Sequence, residues 1–363
     1  MRFDGIEKII GTPCRAVVFR RMRYQDDVGS VLLTGGTGFI ASHICVELLK
    51  LRRRVVLLDN LRNSKATVVD RIEALCGVRP VFVEGDIRDR ALLTKLMREH
   101  GIDKVIHLAG LKAVGESVAD PLLYWDNNLA GTLSLLQAMA ESGVRSMVFS
   151  SSCTVYGEPE RLPIDESHPL RGASPYGRTK LAIEQMLHDL WMSDQRWHIC
   201  LLRYFNPVGA HESGLIGEDP NGLPNNLMPY ILKVATGQLP RLQVWGSDYE
   251  TVDGTGVRDY IHVVDLADAH VRAMERLPTM GCEAFNLGTG CGKSVLEILR
   301  AFERVNGVQV PHSMMPRRPG DVQSAFADPK KAEGILGWRA HRTLDDMCRD
   351  AWRWQQSSSS AGT

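Results

Sequence analysis

Short apolar runs alternate with amphipathic stretches from residue 31 to residue 205, and few folds accommodate such an alternation. The runs read VLLTG, VVLLD, PVFVEGD, KVIHLAG, RSMVFSSS and HICLLRYF. Apolar residues at helical spacing lie between them, at 39–50, 66–77, 89–100, 126–142 and 176–193. Continuous apolar strands separated by helices are typical of a parallel sheet covered on both faces. The pattern therefore predicts a doubly wound α/β fold, whose ligand should lie beyond the carboxyl ends of the strands.

A change of composition after Asn206 predicts a second, smaller domain of mixed α/β structure. HESGLIGEDPNGLPNNLMP is rich in glycine, proline and asparagine, as loops are. A short strand, RLQVW, and a helix at 261–277 should follow, and AFNLGTG reads as a strand that returns to the first domain. The predicted divisions are a disordered extension or upstream start at 1–28, the first domain at 29–206 with a return near 258–290, the second domain mainly at 207–355, and a disordered tail at 356–363.

Composition excludes several classes of function. The formal net charge is +0, which gives no general attraction to nucleic acid or to acidic membranes. No apolar run reaches the roughly 18–20 residues of a membrane helix. The eight cysteines contain no CxxC pair and no zinc-finger spacing. We therefore expect no metal site, no disulfide framework and a reducing, cytoplasmic compartment.

A glycine-rich turn in VLLTGGTGFIASH predicts a dinucleotide site. Gly35 permits the tight turn and Gly38 the close approach of a pyrophosphate, while the helix that follows supplies unpaired N–H groups. Asp59 ends the next strand about 20 residues later, where it can accept a hydrogen bond from a ribose hydroxyl. It would repel a 2′-phosphate, so NAD is favoured over NADP. The alternative is a glycine turn in a nucleotide-free protein, with Asp59 acting only as a cap.

A serine, a tyrosine and a lysine form a candidate catalytic set. Tyr176 and Lys180 share one helix face because they are four residues apart, and Ser152 ends the strand RSMVFSSS. Lowering a tyrosine pKa from about 10 to about 6.5 requires roughly 5 kcal/mol. An ammonium and a nicotinamide cation, each about 6 Å away, would supply about 2.8 kcal/mol apiece. The alternative is a solvent-exposed tyrosine–lysine pair.

Longer motifs resemble the UDP-galactose (UDP-glucose) 4-epimerase family, a group of extended short-chain dehydrogenases/reductases, from about residue 30 to about residue 354. They include VIHLAGLKAVGESV, YWDNNLAGT, SSSCTVYG, SPYGRTK, LLRYFNPVGAHESGLIGEDPNGLPNNLMPYI and DGTGVRDYIHVVDLADAH. The resemblance implies a Rossmann-type fold, bound NAD, UDP-hexose substrates and a homodimer formed through helices near 123–142 and 176–193. It also implies that hydride leaves sugar C4 for NAD, that the 4-keto sugar rotates, and that hydride returns to the opposite face.

The resemblance also implies a role for particular residues. Catalysis would fall to Ser152, Tyr176 and Lys180. NAD would contact Gly35, Gly38, Phe39, Ile40, Asp59, Asn60, Asn63, Ser64, Asp86, Ile87, Leu108, Ala109, Lys112, Asn127, Ser152, Tyr176, Lys180 and Phe205. The UDP-sugar would contact Ser152, Tyr176, Asn206, Asn226, Leu227, Gln243, Trp245, Arg258, Tyr260, Arg318, Asp321 and Ala325.

Two positions depart from the family pattern or vary within it. Ala325 stands where a large side chain is associated with restriction to UDP-glucose and UDP-galactose, so its small size predicts room for a 2-N-acetyl group. Cys153 stands where alanine is common, and either packing or a redox role is open to it.

Three other functions compete with epimerisation. A nucleotide-sugar 4,6-dehydratase would need a carboxylate just after Ser152, where Cys153 and Thr154 stand. A UDP-glucuronate epimerase would need an extra cation. An inactive NAD-binding scaffold or regulatory protein would not need the intact Ser/Tyr/Lys set.

Overall fold

The structure is a computed structural model that describes residues 29–222, 224, 226–318 and 321–360. The predicted extension at 1–28 lies outside these residues. The strands are β1 Ser30–Thr34, β2 Val55–Asp59, β3 Val81–Glu84, β4 Ile102–His107, β5 Ser146–Ser150, β6 His198–Tyr204, β7 Asn206–Val208, β8 Leu242–Trp245, β9 Val257–His262, β10 Cys282–Leu287, β11 Gly292–Ser294, β12 His312–Met315 and β13 Ser324–Ala325. The helices are α1 Phe39–Lys50, α2 Thr67–Cys76, α3 Arg90–Glu99, α4 Val114–Ala119, α5 Pro121–Tyr124, α6 Gly131–Ser142, α7 Pro175–Ser193, α8 Leu227–Ala235, α9 Val263–Arg276, α10 Val295–Asn306, α11 Lys330–Leu336 and α12 Leu344–Ser360.

The large sheet has seven parallel strands in the order β10-β6-β5-β4-β1-β2-β3. One apolar cluster joins α1 and α9 to one face of the sheet, and a second joins α3, α6 and α7 to the other. Burial of both faces explains why the strands read as continuous apolar runs. The prediction of a doubly wound parallel sheet is confirmed. The strand order reverses between β1 and β4, the point at which such sheets bind ligands.

The remainder of the chain forms two small sheets on a separate apolar cluster. β9 lies between β11 and β13 and also pairs with β7, while β8 pairs in parallel with β12. Helices α8, α10 and α12 pack with these strands. The chain then returns to the large sheet through α9, which packs on α1, and through β10, which pairs with β6.

Two boundaries differ from those predicted. The helix expected at 261–277 begins at Val263, because Ile261 and His262 belong to β9 and pair with β7. The tail expected to be disordered from residue 356 instead continues α12 as far as Ser360. Serine costs only a few tenths of a kcal/mol per position in a helix, so an established amphipathic helix extends through a short serine run. Within the described ranges, every helix is too short or too polar to cross a bilayer.

Candidate active site

The glycine turn between β1 and α1 leaves a helix N-terminus available to a ligand. Gly35 has a φ of +67°, a left-handed conformation that suits glycine, and a Cβ there would lie 2.9 Å from the Ala109 nitrogen. Gly38 precedes α1 and offers no side chain to cap it, so hydrogen-bond donors in the first turn have no side-chain partner at this position. Phe39 and Ile40 form that first turn. Such a terminus favours a diphosphate.

A carboxylate stands beside this turn, at the end of β2. One oxygen of Asp59 accepts a hydrogen bond from the Thr37 nitrogen at 3.1 Å, and the other accepts one from the Ser64 hydroxyl at 3.0 Å. Asn60 donates to Asp86 at 3.0 Å, which links this loop to the loop after β3. The Arg88 guanidinium lowers the pKa of Asp86 well below its usual range. A helix N-terminus next to a fixed carboxylate fits a dinucleotide with an unmodified ribose.

Residues 218–221, which we call the strap, reach from the second domain to the loops around this turn. Asp219 forms an ion pair with Lys65 at 2.6 Å, and Glu218 forms one with Lys112 at 3.0 Å. Further hydrogen bonds join Asn221 to Asn63 and to Arg62, and Asn226 to Glu218. The Glu218 side chain is only 10% exposed, so its ion pair is better shielded from solvent than that of Asp219.

Ser152, Tyr176 and Lys180 are all buried at the carboxyl edge of the sheet. Ser152 follows β5, while Tyr176 and Lys180 lie in the first two turns of α7. Helix α7 begins here because Ser174 caps it, accepting from the Gly177 nitrogen at 3.1 Å, and because Pro175 suits the first helical position. The alternative of a solvent-exposed tyrosine–lysine pair is therefore wrong.

Lys180 is held by the strand edge rather than by a carboxylate. Its Nζ donates to the Ser150 carbonyl at 2.8 Å and lies 4.7 Å from the centre of the Phe149 ring. Burial lowers the pKa of Lys180 from its usual 10.5 to about 8, and the charge of Glu184 acts in the opposite direction. The lysine thus remains largely an ammonium at neutral pH, at a considerable cost in solvation.

The predicted depression of the Tyr176 pKa is not found in the protein by itself. Burial raises this pKa well above its usual value, and the hydrogen bond with Ser152 only partly opposes the increase. Desolvation of the anion outweighs the stabilisation that neighbouring side chains provide. Tyr176 is consequently a neutral phenol until a further positive charge or a substrate lies beside it.

A buried polar network lies next to Ser152 and Lys180, and the sequence did not predict it. Glu184 accepts from the Ser151 hydroxyl and pairs with Arg203, whose side chain donates to the Tyr156 hydroxyl at 3.1 Å. Tyr156 in turn donates to Asn286 at 2.7 Å. The spacing YxxxKxxxE could have indicated Glu184, because a third residue four positions on lies along the same helix face.

The other predicted NAD contacts follow successive strands at this edge. Ile87 follows β3; Leu108, Ala109 and Lys112 follow β4; Asn127 lies in a π-helical turn before α6; and Phe205 follows β6. Asn127, Ile87 and Phe205 are buried. The topology thus brings the predicted cofactor residues to one edge of the sheet.

The predicted UDP-sugar residues divide between the two small sheets. On the first, Asn206 lies opposite Tyr260 and Ala325 opposite Arg258. On the second, Gln243 and Trp245 lie in β8, and Arg318 lies 5.8 Å from the Trp245 ring and pairs with Asp321 at 2.9 Å. Asn226 and Leu227 begin α8.

Ala325 and Cys153, the two positions that depart from the family pattern or vary within it, share one small apolar cluster. Ala325 is 8% exposed and belongs to a small apolar cluster with Val155, Tyr156 and Phe205. Cys153 packs against this cluster, and burial raises its pKa to about 12 in spite of the nearby Arg258. A thiol with such a pKa is a poor nucleophile, which favours packing over a redox role. Across the described ranges, no cluster of three His, Cys, Asp or Glu side chains could hold a metal ion.

Comparison with known proteins gives the same result from sequence and from structure. The model of the NAD dependent epimerase/dehydratase family matches residues 31–288. The UDP-glucose 4-epimerase of Bacillus subtilis (strain 168) is 56% identical over 330 residues, which cover 91% of this chain and 97% of that protein. The crystal structure of the Stenotrophomonas maltophila UDP-glucose 4-epimerase, with bound NAD and formylated UDP-arabinopyranose, is 54% identical with a TM-score of 0.90 over 92% of this chain and all of that one. The Bifidobacterium longum enzyme in complex with NAD+ and UDP is 52% identical with a TM-score of 0.89, over 91% and 99% of the two chains.

Proposed function

The chain belongs to the NAD dependent epimerase/dehydratase family, and we infer that it is an NAD-dependent UDP-glucose 4-epimerase that interconverts UDP-glucose and UDP-galactose. The observation that carries this inference is the buried set of Ser152, Tyr176 and Lys180 at the carboxyl edge of the sheet, in a chain more than half identical to such epimerases along nine-tenths of its length. A 4,6-dehydratase is not favoured, because Cys153 and Thr154 follow Ser152 and carry no carboxylate.

The proposed catalytic roles follow from the positions of three side chains. Tyr176 takes the proton of the sugar 4-hydroxyl and later returns it, while Ser152 donates a hydrogen bond to the same sugar oxygen. Lys180 supplies a nearby ammonium that favours the phenolate form of Tyr176. When bound, NAD supplies a reversible hydride acceptor and a second positive charge. The keto sugar would then have to turn over inside the site, so that hydride returns to the opposite face of C4 while Tyr176 returns the proton to the sugar oxygen.

We propose the glycine turn, Asp59 and the loops after β3 and β4 as the NAD site. The uncapped start of α1 supports a diphosphate there, and the fixed Asp59 carboxylate supports an unmodified ribose. For the UDP-sugar, Arg258 and Arg318 are the proposed cations for the substrate diphosphate. Arg258 lies on β9 and Arg318 follows β12, so the two cations would hold UDP from different elements and leave the hexose free to rotate.

Ala325 supports a broader substrate range that includes UDP-GalNAc and UDP-GlcNAc. It pairs with Arg258 across the strands and carries a single methyl group where a larger side chain would extend into the apolar cluster near Phe205. A 2-N-acetyl group needs additional volume on the sugar side of this strand. We propose that the small side chain of Ala325 leaves room for this group.

A homodimer in a reducing, cytoplasmic compartment completes the proposal. Large apolar side chains are exposed at Leu122, Leu133 and Met192, near the helices expected to pair. The seven cysteines of the described residues are free thiols. Sedimentation of the purified protein tests the dimer, and a Leu133→Glu variant should shift it towards monomer.

The decisive experiment is epimerisation without added NAD. Purified protein is incubated separately with UDP-galactose and with UDP-GalNAc, and the sugars are resolved by chromatography. Conversion of both would support a dual-specificity epimerase that retains its cofactor. Conversion of UDP-galactose alone would remove the argument from Ala325. No conversion of either, even with NAD supplied, would overturn the epimerase and favour a scaffold.

A further inference from the structure

Glu184 is a carboxylate that the catalytic roles described above leave unassigned. It is 4% exposed and lies on α7, one turn beyond Lys180. Its oxygens accept from the Ser151 hydroxyl at 2.5 Å, and from Nε and Nη2 of Arg203 at 3.0 and 2.6 Å. Both side chains of the ion pair are almost completely buried, at 6% and 4% exposure.

Stability alone is a weak reason for such a pair. The desolvation of two buried charges commonly cancels their attraction, and apolar replacements are often neutral or stabilising. Arg203 is satisfied by Glu184 and Tyr156, so the pair is geometrically complete without needing a ligand. The position of the Glu184–Arg203 pair beside the catalytic set is therefore a better guide to its role than its contribution to stability.

Glu184 acts on the catalytic set from two sides, through the neighbour of Ser152 and through its charge on Lys180. Its Ser151 partner directly precedes Ser152, and the Ser151 nitrogen is fixed to the Leu202 carbonyl at 2.9 Å. On its own helix, the negative charge of Glu184 supports the ammonium of Lys180 against the effect of burial. One carboxylate thus acts on both the serine strand and the lysine.

We propose that Glu184 is a positioning residue for epimerisation, which holds the Ser151–Ser152 strand end in place and keeps Lys180 charged. The inference rests on the proposed function, since it assigns Glu184 a task in the same reaction. Glu184 itself transfers no proton and contacts no reacting atom.

Lys180 is the group among its neighbours that titrates in the mildly alkaline range. Burial lowers the pKa of His107 on β4 to about 3 and raises those of Tyr204 on β6 and Cys282 on β10 to about 12. On α7, burial raises the pKa of Tyr176 still further, and Arg203 keeps its charge throughout. An alkaline limb of activity near pH 8 would therefore report Lys180.

The test compares the pH dependence of kcat in three variants and the wild-type protein, using UDP-galactose at saturation. Glu184→Gln keeps the shape of the side chain but removes its charge. We expect the alkaline limb to move down by about two pH units, for a charge about 6 Å away in an effective dielectric near 20. Ser151→Ala removes the strand contact alone, and should lower kcat about tenfold without moving the limb. Asp265→Asn is the matched control, because Asp265 is a buried carboxylate whose ion-pair partner Arg342 lies outside the network of Ser151, Glu184 and Arg203. It should lower thermal stability and leave the profile unchanged.

The outcomes separate positioning from a structural role. An unmoved alkaline limb in a folded Glu184→Gln variant would overturn the proposal, even if its melting temperature fell. If that variant does not fold, Ser151→Ala decides: wild-type kcat would overturn the proposal, and reduced kcat at an unchanged melting temperature would support it. The wild-type protein in the same assay reports on epimerisation itself, so a failure of the proposed function is seen separately.

Discussion

Replacing Lys180 with methionine should change stability and activity in opposite senses, with a distinctive dependence on pH. Methionine keeps a flexible apolar chain against Phe149 and removes the buried ammonium. The pKa of Lys180 falls from 10.5 to about 8 on folding. That difference corresponds to about 3 kcal/mol of unfavourable free energy at pH 7. The variant no longer has this unfavourable desolvation free energy, but it also loses the hydrogen bond to the Ser150 carbonyl.

The sign of the pH effect follows from proton binding. Between pH 8 and 10.5 the unfolded wild-type chain binds more protons at this lysine than the folded protein does, so wild-type stability gains with rising pH. Methionine has no such gain. We therefore expect the stability of the variant relative to wild type to fall by about 2 kcal/mol between pH 7 and pH 10.

Thermal unfolding of both proteins at pH 7, 8, 9 and 10 measures this difference. The gap between the two melting temperatures should change steadily by a few degrees, and kcat for UDP-galactose should fall by a factor of about 10² to 10⁴. Lys95→Met is the control, because Lys95 is 67% exposed on α3 and should give a constant gap. A gap for Lys180→Met that is independent of pH would refute the assignment of a depressed pKa to this lysine.

Three further predictions concern the same site. Tyr176→Phe should reduce kcat by about 10² to 10⁴ with an unchanged melting temperature, measured on UDP-galactose; near-normal turnover would remove Tyr176 from the mechanism. Ala325→Tyr should abolish conversion of UDP-GalNAc while sparing UDP-galactose, as resolved by chromatography, and equal losses on both would contradict the pocket argument. Glu218→Gln breaks the shielded ion pair of the strap, so NAD should be released several times faster, as followed by its absorbance after gel filtration, whereas Asp328→Asn in an exposed pair should have no effect.

The fold could be predicted from sequence because its signal is local and repeated. The apolar runs of β1, β2, β4, β5 and β6 are buried on both faces, so no polar alternation obscured them. Helix α7 carried its own start signals in Ser174 and Pro175. The start of α9 was predicted too early because pairing between distant parts of the chain fixes it. Ile261 belongs to β9 because it pairs with β7.

The electrostatics of the site could not be predicted in the same way. The spacing of Tyr176 and Lys180 indicated a shared helix face, but not the burial that raises one pKa and lowers the other. The partnership of Glu184 with Ser151 and Arg203 joins the end of β5, helix α7 and strand β6 through side chains, which helix spacing alone does not indicate. Desolvation depends on the assembled protein, so it appears only once the chain is folded.

The late return of the chain to the large sheet has a consequence for biosynthesis. β6 ends at Tyr204, but its outer neighbour β10 begins only at Cys282. On the ribosome, the apolar edge of β6 therefore emerges long before the strand that covers it. An unpaired apolar edge is a template for association with other chains. The nascent epimerase should accordingly need protection by a chaperone during this interval, and slow translation between the two strands should lower its yield.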